Sequence, residues 1–555
     1  MIGRRWFPIV RLAFPLLLIV GRWAQVRAQT PPPDVRFGAV EAFRDPVAAV
    51  EAGVGWERIL FYWSELQPNG PEDWNGYHVP NEWLDQAAAA GREVVGLLKH
   101  TPAWATDGPP GCGVPRGLDL PVDDPDNLWA AFVKQVAGLY ASRINRWVIW
   151  NEPDIASGIY GAEWCGSVEE YYRLLQVAYL AAHQANPEVT IHLAGLTFWH
   201  DRTYLHRLLA VATEDPTGPA HGYYFDVVSL HIYFQTETVP YIINETRAAL
   251  AAYGLQKPIW VNETNASPDS DPRWPIERPR WRVSLEEQAG FLLQSFALAL
   301  ASGAERVAVY KWVDASLPPE GEPFGLIRPD LSRRPAYDSF RLITTYYAGT
   351  QTARVARQPL FYQVTLNRQE QTTRLLWART ATTVTVAVPA LAAEGLLATQ
   401  SGQTQVLQPT EGVYALTLPG ARCADELGCI IGGPTVLLVE AGTGAPGPAW
   451  ILAPTASPAE SDLPPAPSPT PPPTPTATSP AATATPSPTP TPAPTSTPAP
   501  TSTATPSPTP TATPASAFRL SPACVPTPLL VILLLGFLIA GGAILRHITQ
   551  PAPDG

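Results

Sequence analysis

The chain has 555 residues, a formal net charge of −12 and 45% hydrophobic residues, a composition typical of a globular protein with more than one domain. The acidic balance excludes nucleic acid as a partner, because a nucleic-acid surface must neutralise phosphates. Its five cysteines do not suit a disulfide scaffold and have no ligand-like spacing with histidines, so neither a metal site nor a cofactor is predicted.

Residues 1–28 contain, in the same succession, the charged, apolar and small-residue regions of a secretory signal peptide. Arg4 and Arg5 precede an apolar run from Leu12 to Val20, and a small-residue site permits cleavage after Ala28. The sequence therefore predicts that the mature protein is exported.

Residues 34–349 alternate strand and helix patterns eight times. Helix starts lie between the strands: Asp45-Pro46, Asp124-Pro125, and Ser167 and Ser284, each with a glutamate three residues on. Eight such units predict an α/β fold of the (β/α)8 TIM-barrel type. The predicted strands are Val35–Val40, Glu57–Trp63, Glu93–Lys99, Trp147–Glu152, Thr190–Leu196, Val227–Tyr233, Pro258–Thr264 and Arg306–Val313.

Two of these strands end in a glutamate. The segment Arg146–Asp154 (RWVIWNEPD) places Glu152 at the tip of the fourth strand, and Pro258–Asn265 (PIWVNETN) places Glu263 on the seventh. Barrel enzymes carry their chemistry at this end of the strands. Paired carboxylates there indicate glycoside hydrolysis, whereas the alternative is two structural glutamates.

These motifs resemble those of the retaining glycoside hydrolases of clan A, which are (β/α)8 barrels, and are similar to families 39 and 5. The resemblance covers the barrel, a little over half of the chain. It implies that Glu152 is the acid/base and Glu263 the nucleophile. The implied substrate is a β-linked polysaccharide or oligosaccharide.

Further site residues follow from the same resemblance. Asn151 would reach the substrate 2-hydroxyl, and Arg58 would lie beneath the nucleophile, unless it forms a salt bridge within the barrel wall. His231 and Tyr233 match a His-x-Tyr pattern in which the tyrosine hydroxyl bonds the nucleophile.

Aromatic residues near other strand ends are candidates for contact with sugar. The resemblance implies that Trp312 forms the floor under the scissile sugar, with Lys311 on the other face. His100 and Trp104, after the third strand, and Trp63 would line the cleft, or else serve only in packing.

Four cysteines are predicted to form two disulfides. Cys112 and Cys165 fall in neighbouring mouth-side loops, and Cys423 and Cys429 close a short loop further on. Cys524, near the predicted membrane helix, has no predicted partner within the chain. It could form an intermolecular disulfide or carry a palmitoyl group.

Residues 350–444 lack helical periodicity and are predicted to form a small antiparallel β-sandwich. This domain is either a spacer or a sugar-binding module. Its predicted strands are Phe361–Leu366, Thr373–Ala378, Thr383–Val388 and Val413–Leu418.

The C-terminal part predicts a stalk and a membrane anchor. Residues 454–522 are almost wholly Pro, Thr, Ser and Ala, typical of an extended linker. Residues 528–545 are apolar and are followed by Arg546, which predicts a transmembrane helix with the bulk of the protein outside. A removable sorting tail is the alternative.

The leading hypothesis is a monomeric retaining glycosidase on the extracellular face of the cell membrane. One rival is a transglycosidase that remodels the envelope polysaccharide, with identical catalytic residues. Another is a non-catalytic carbohydrate-binding surface protein, which the intact pair of Glu152 and Glu263 argues against.

Overall fold

The computed structural model of the protein describes residues 32–156, 161–276, 281–314, 323–423, 429–444 and 447–452. The predicted signal peptide, stalk, membrane helix and Cys524 lie outside these residues. Among the helices within them, none combines the length and apolarity needed to cross a bilayer.

Eight parallel strands form the predicted barrel. They neighbour one another in chain order from β1 to β5 and from β6 to β8, with β8 beside β1. Bridges between His192 and Val227 and between Leu196 and Leu230 close the sheet between β5 and β6. The strands are β1 (Phe37–Val40), β2 (Trp56–Tyr62), β3 (Glu93–Lys99), β4 (Arg146–Asn151), β5 (Thr190–Gly195), β6 (Val228–Tyr233), β7 (Ile259–Asn265) and β8 (Arg306–Val309).

Helices surround this barrel. Ser167 and Ser284 form the predicted capping boxes. The predicted start at Asp124-Pro125 is wrong, because Asp124 forms a turn with Asp126 and the helix begins at Leu128, capped by Asn127. The helices are α1 (Pro46–Glu51), α2 (Trp63–Leu66), α3 (Asn81–Ala89), α4 (Leu128–Leu139), α5 (Val168–Ala185), α6 (Tyr204–Glu214), α7 (Thr238–Ala252), α8 (Leu285–Ala301) and α9 (Pro335–Tyr346), with 3-10 turns at Ala42–Arg44, Ala103–Ala105 and Gly218–Tyr224.

The barrel interior is filled by side chains. Trp56, Val148 and Trp260 belong to a buried apolar cluster contributed by several strands. Trp56 fits only because Gly38 has no side chain, since a Cβ there would lie 2.3 Å from the indole. A filled interior leaves the strand ends as the place for a binding site.

The second domain is a β-sandwich, as predicted. A six-stranded sheet ordered β14-β13-β16-β11-β10-β9 faces a three-stranded sheet ordered β15-β12-β17 across an apolar core. The pairing of β17 with β12 extends the domain past the predicted boundary at residue 444. The strands are β9 (Thr352–Arg357), β10 (Phe361–Asn367), β11 (Gln371–Ala378), β12 (Val384–Pro389), β13 (Gly395–Thr399), β14 (Thr404–Leu407), β15 (Val413–Leu418), β16 (Val436–Ala441) and β17 (Trp450–Ile451).

Both predicted disulfides are confirmed. Cys112 and Cys165, with Cα atoms 5.1 Å apart, join the loops after β3 and β4. Cys423 and Cys429, with Cα atoms 4.0 Å apart, close a loop of the sandwich. The residue after that loop, Ile430, accepts a hydrogen bond from the Thr236 amide, so the sandwich contacts the barrel beside the end of β6.

Candidate active site

Glu152 follows directly on β4, where the backbone changes direction. Trp150 and Glu152 have positive φ angles of 75° and 43°, a conformation that side chains rarely adopt and that is concentrated at functional sites. The turn is held from both sides: the Trp150 indole donates to the Glu163 carbonyl at 2.7 Å, and the Glu152 amide donates to the Gly195 carbonyl at 3.1 Å. The backbone therefore fixes Glu152 at the barrel mouth.

Glu263, on β7, is bound at both carboxylate oxygens. The Arg58 guanidinium, from β2, donates to Oε1, and the Tyr233 hydroxyl, from β6, donates to Oε2. Burial alone would raise the pKa of Glu263, but the charge of Arg58, with His231 and Tyr233, lowers this pKa below its ordinary value. Glu263 is thus built to be an ionised carboxylate.

His231 links the two glutamates. Its Nδ1 lies 2.6 Å from Glu152 Oε1 and 3.4 Å from Glu263 Oε2, and its Nε2 lies 3.4 Å from Arg58 Nη1. Because a guanidinium only donates, Nε2 accepts, and the imidazole proton is on Nδ1, facing Glu152. A Cβ on residue 195 would lie 2.0 Å from Nε2, so glycine at the end of β5 makes room for this ring.

The separation of the two carboxylates selects between mechanisms. One oxygen each of Glu152 and Glu263 and a nitrogen of His231 all lie within 4.8 Å of one another. Retaining glycosidases hold their carboxyl groups about 5–5.5 Å apart, and inverting enzymes hold them about 6.5–9.5 Å apart to admit a water. Oxygen atoms within 4.8 Å of each other fit the closer of these two arrangements.

The same three side chains have the donor atoms of a metal site. However, the Arg58 guanidinium is buried against Glu263 and contacts His231, so a divalent cation bound there would be repelled at short range. The Tyr233 hydroxyl also donates to one of the oxygens that would bind the ion. These charges favour acid/base and nucleophilic chemistry.

The structure brings together most of the predicted site residues. Arg58, His231 and Tyr233 surround Glu263 as described, and the salt bridge of Arg58 is to Glu263 itself. Asn151 lies half-buried beside Glu152, and within the described residues nothing hydrogen-bonds its side-chain amide.

The prediction that Trp312 forms the floor of the site is wrong. Trp312 is 0% exposed, donates to the Asp45 carbonyl at 3.1 Å and packs against Tyr337 and Phe340, on the helix side of the barrel. The prediction extended the eighth strand to Val313, but β8 ends at Val309. Beyond Val309 the side chains no longer alternate between the barrel interior and the helices, so the position of Trp312 does not follow from the strand.

Tyr310 is the aromatic residue that the site contains instead. Its ring meets that of Tyr233 edge-on, with centroids 6.1 Å apart, and Phe324 packs on both rings. Burial and then the charge of Glu263 raise the pKa of Tyr310 above its ordinary value, so its hydroxyl stays protonated. Tyr310 could have been found from the sequence, because it directly follows β8, at the end of the strand where barrel sites lie.

The candidates after the third strand have different positions. His100 lies half-buried with its ring 4.6 Å from that of Tyr62, and burial and then Lys99 lower its pKa. Trp104 donates to the Gln67 carbonyl at 2.7 Å and packs edge-on against Trp63, which is fully buried. Trp63 therefore does not line the cleft. The contacts of Trp104 support its interpretation as a packing residue. His100, directly after β3, remains at the rim of the barrel mouth.

Asp154 is a site residue that the sequence reasoning did not single out. Its Oδ2 accepts hydrogen bonds from the Thr197 amide at 2.9 Å, the Thr197 hydroxyl at 2.7 Å and the Phe198 amide at 3.1 Å. Asp154 lies two residues after Glu152, so these bonds fasten the loop after β5 to the tip of β4. Burial raises the pKa of this carboxyl.

Comparison with known proteins supports the fold. No model of a known protein family matches the chain, and no curated protein sequence is significantly similar to it. A family 39 glycoside hydrolase from the gut symbiont Bacteroides cellulosilyticus WH2 aligns with 74% of this chain and 81% of its own, with a TM-score of 0.56 and 16% identity.

Two further solved structures align comparably. A family 30 endoxylanase from Clostridium papyrosolvens C71 covers 74% of this chain and 97% of its own, with a TM-score of 0.50 and 11% identity. A bifunctional glucanase-xylanase from a metagenome library has the same coverage, with a TM-score of 0.50 and 12% identity. At such identities the likeness establishes the fold, which is the (β/α)8 barrel that the sequence predicted.

Proposed function

We propose that this protein is a retaining glycosidase that cleaves a β-linked polysaccharide or oligosaccharide by double displacement. One observation carries the proposal: Glu152, directly after β4, and Glu263, on β7, have carboxylate oxygens within 4.8 Å of each other. Their different surroundings support the assignment of two different roles to the two groups.

In the first step Glu263 attacks the anomeric carbon while Glu152 gives its proton to the leaving oxygen. The glycosidic bond breaks, and a covalent glycosyl-enzyme ester forms on Glu263. His231 Nδ1–H donates to Oε1 of Glu152, so the proton of the acid is directed to Oε2 and from there to the substrate.

In the second step Glu152, now a carboxylate, takes a proton from water. The hydroxyl attacks the anomeric carbon, the ester bond to Glu263 breaks, and the sugar leaves with its original configuration. Arg58 and Tyr233 hold the departing carboxylate. Burial and then Glu263 raise the pKa of Tyr233 well above its ordinary value, so its hydroxyl remains a donor throughout.

The proposed location is the outer surface of the cell membrane. Its support is the sequence of residues 1–28 and 528–545, both outside the described residues. The Cys112–Cys165 and Cys423–Cys429 disulfides agree with an oxidising compartment.

A panel of aryl β-glycosides of xylose, glucose and mannose, followed by the matching polysaccharides, tests the activity. We expect turnover on at least one donor, with the β-anomer as the first product seen by NMR. Glu82→Gln, an exposed change on α3, serves as the control. An α-anomeric first product would overturn the retaining mechanism, and no turnover on any donor would overturn the hydrolase proposal.

A further inference from the structure

Two exposed aromatic rings lie against each other on the rim of the barrel. Trp199 is 46% exposed and Tyr241 is 44% exposed, and their rings are within 20° of parallel with centroids 6.1 Å apart. In the described part of the barrel, only Tyr77 is an aromatic residue of comparable exposure. Exposed rings that are grouped in this way mark a binding surface more often than scattered ones do.

The two exposed rings lie at the same end of the barrel as Glu152 and Glu263. Trp199 follows β5 and Tyr241 lies in the first turn of α7, so both are at the mouth. Phe198 packs edge-on against both rings, with centroid distances of 5.0 and 5.7 Å. The Phe198 amide donates to Asp154, two residues beyond Glu152, so the aromatic pair is fixed to the same strand tip as the proton donor.

A cation completes this surface. The Arg202 guanidinium carbon lies 4.4 Å from the centroid of the Trp199 ring. Within the described residues no side chain or carbonyl accepts a hydrogen bond from Arg202, so its N–H groups are available to hydroxyl oxygens. An aromatic face beside such donors suits a sugar ring, whose C–H groups pack on the ring while its hydroxyls accept hydrogen bonds.

We infer that Trp199, Tyr241 and Arg202 form a subsite for the sugar on the leaving-group side of the scissile bond. This inference rests on the proposed function, because the proton donor must lie at the leaving oxygen and the leaving sugar therefore lies on the side of Glu152. The retained sugar lies over Glu263, with Tyr233 and Tyr310. The substrate is accordingly a chain with at least one sugar beyond the cleaved bond.

The same subsite binds an acceptor in the second step. A sugar hydroxyl there loses its proton to Glu152, its oxygen bonds to the anomeric carbon, and the ester bond to Glu263 breaks. Transfer to sugar then competes with hydrolysis, and Trp199 sets the ratio between the two products.

Trp199→Ala tests the inference when paired substrates are compared. β-Xylosyl, β-glucosyl and β-mannosyl fluorides have no leaving sugar, whereas xylo-, cello- and manno-oligosaccharides do. For the sugar that the protein accepts, we expect kcat/KM on the oligosaccharide to fall roughly tenfold, with the fluoride rate within twofold of the original protein. The ratio of transfer to hydrolysis should fall in parallel.

Two matched variants control for lost stability and lost surface. Trp199→Phe keeps a stacking ring and should retain most oligosaccharide activity, and Trp450→Ala removes a tryptophan of 49% exposure from the sandwich and should change neither rate. Equal rates for Trp199→Ala and the original protein on both substrates would overturn the subsite, as would an equal loss on both. Inactivity of the original protein on every fluoride and oligosaccharide would instead overturn the proposed function, and the subsite with it.

Discussion

Glu152 and Glu263 are the same residue type, each placed at the end of a parallel strand, yet their surroundings differ. Glu263 is 7% exposed and accepts hydrogen bonds from Arg58 and Tyr233. Glu152 is 18% exposed, and the hydrogen-bond partner of its carboxylate within the described residues is His231. A buried carboxylate that accepts from a guanidinium and a hydroxyl is stabilised as an anion, whereas no Arg or Lys within the described residues forms an ion pair with Glu152.

Under the proposed function, this difference divides the acid and nucleophile roles between identical side chains. The partners of Glu263 come from β2 and β6, so its ionised state depends on long-range packing. Glu152 depends on the turn after β4 and on one histidine from β6. Substitutions around Glu263 and substitutions around Glu152 should therefore change the kinetics in different ways.

The largest effect is expected from removal of the nucleophile. Glu263→Ala should lower kcat/KM by about 10⁴-fold or more on every donor, because no glycosyl-enzyme can form. Steady-state kinetics on the aryl glycoside that the protein accepts measures this, with Glu82→Gln as the control. Loss of less than tenfold would remove Glu263 from the mechanism.

The next effect is expected at Arg58. In Arg58→Met, Glu263 stays buried without its cation, so the pKa of Glu263 should rise and the acid limb of kcat/KM should move to higher pH, with a loss of about 10²–10³-fold near neutrality. In the original protein this lowered pKa stabilises the fold above the unfolded pKa of about 4.3, and that contribution is lost as pH falls through the folded pKa.

Stability measurements separate the charge effect from damage to the fold. Arg58→Met should lower the free energy of unfolding at pH 7 by about 3–5 kcal/mol, because it leaves a buried charge unpaired. Arg92→Met breaks another fully buried pair, with Glu57, and should destabilise similarly without moving the acid limb. An acid limb that is the same in Arg58→Met and Arg92→Met would contradict the assignment.

A smaller effect is expected at Tyr233. Tyr233→Phe removes one of two donors to Glu263, so the acid limb should shift upward by less than in Arg58→Met, and kcat/KM should fall by about tenfold. Tyr337→Phe removes a hydroxyl bonded to the Ala48 carbonyl, on the helix side, and should leave the pH profile unchanged. A larger shift in Tyr233→Phe than in Arg58→Met would reverse the order of the two contributions.

The sequence predicted the positions of the strands, which depend on local runs of apolar residues. Glu152 and Glu263 fall at the ends of apolar runs, and β3, β4 and β7 differ from their predicted bounds by at most one residue at either end. The capping boxes at Ser167 and Ser284 are local and were equally readable. These signals need no knowledge of how distant segments meet.

Features set by loops were not predictable in the same way. Trp312 was assigned to the site by resemblance, on a predicted strand that ran to Val313, whereas β8 ends at Val309. Asp154 became visible only through its hydrogen bonds to Thr197 and Phe198, from a loop that lies some 40 residues further along. Such contacts arise from tertiary packing, which residue types and spacing do not specify.

The central claim, that Glu263 is the nucleophile and Glu152 the acid/base, is tested most directly by azide rescue with an aryl β-glycoside. In Glu152→Ala the glycosyl-enzyme still forms on a good leaving group and accumulates, and azide should attack it to give the β-glycosyl azide. In Glu263→Ala azide attacks the substrate itself and should give the α-glycosyl azide. NMR of the two products distinguishes them: this pattern is the predicted result, and the reversed pattern, or no effect of either substitution on turnover, would contradict the account.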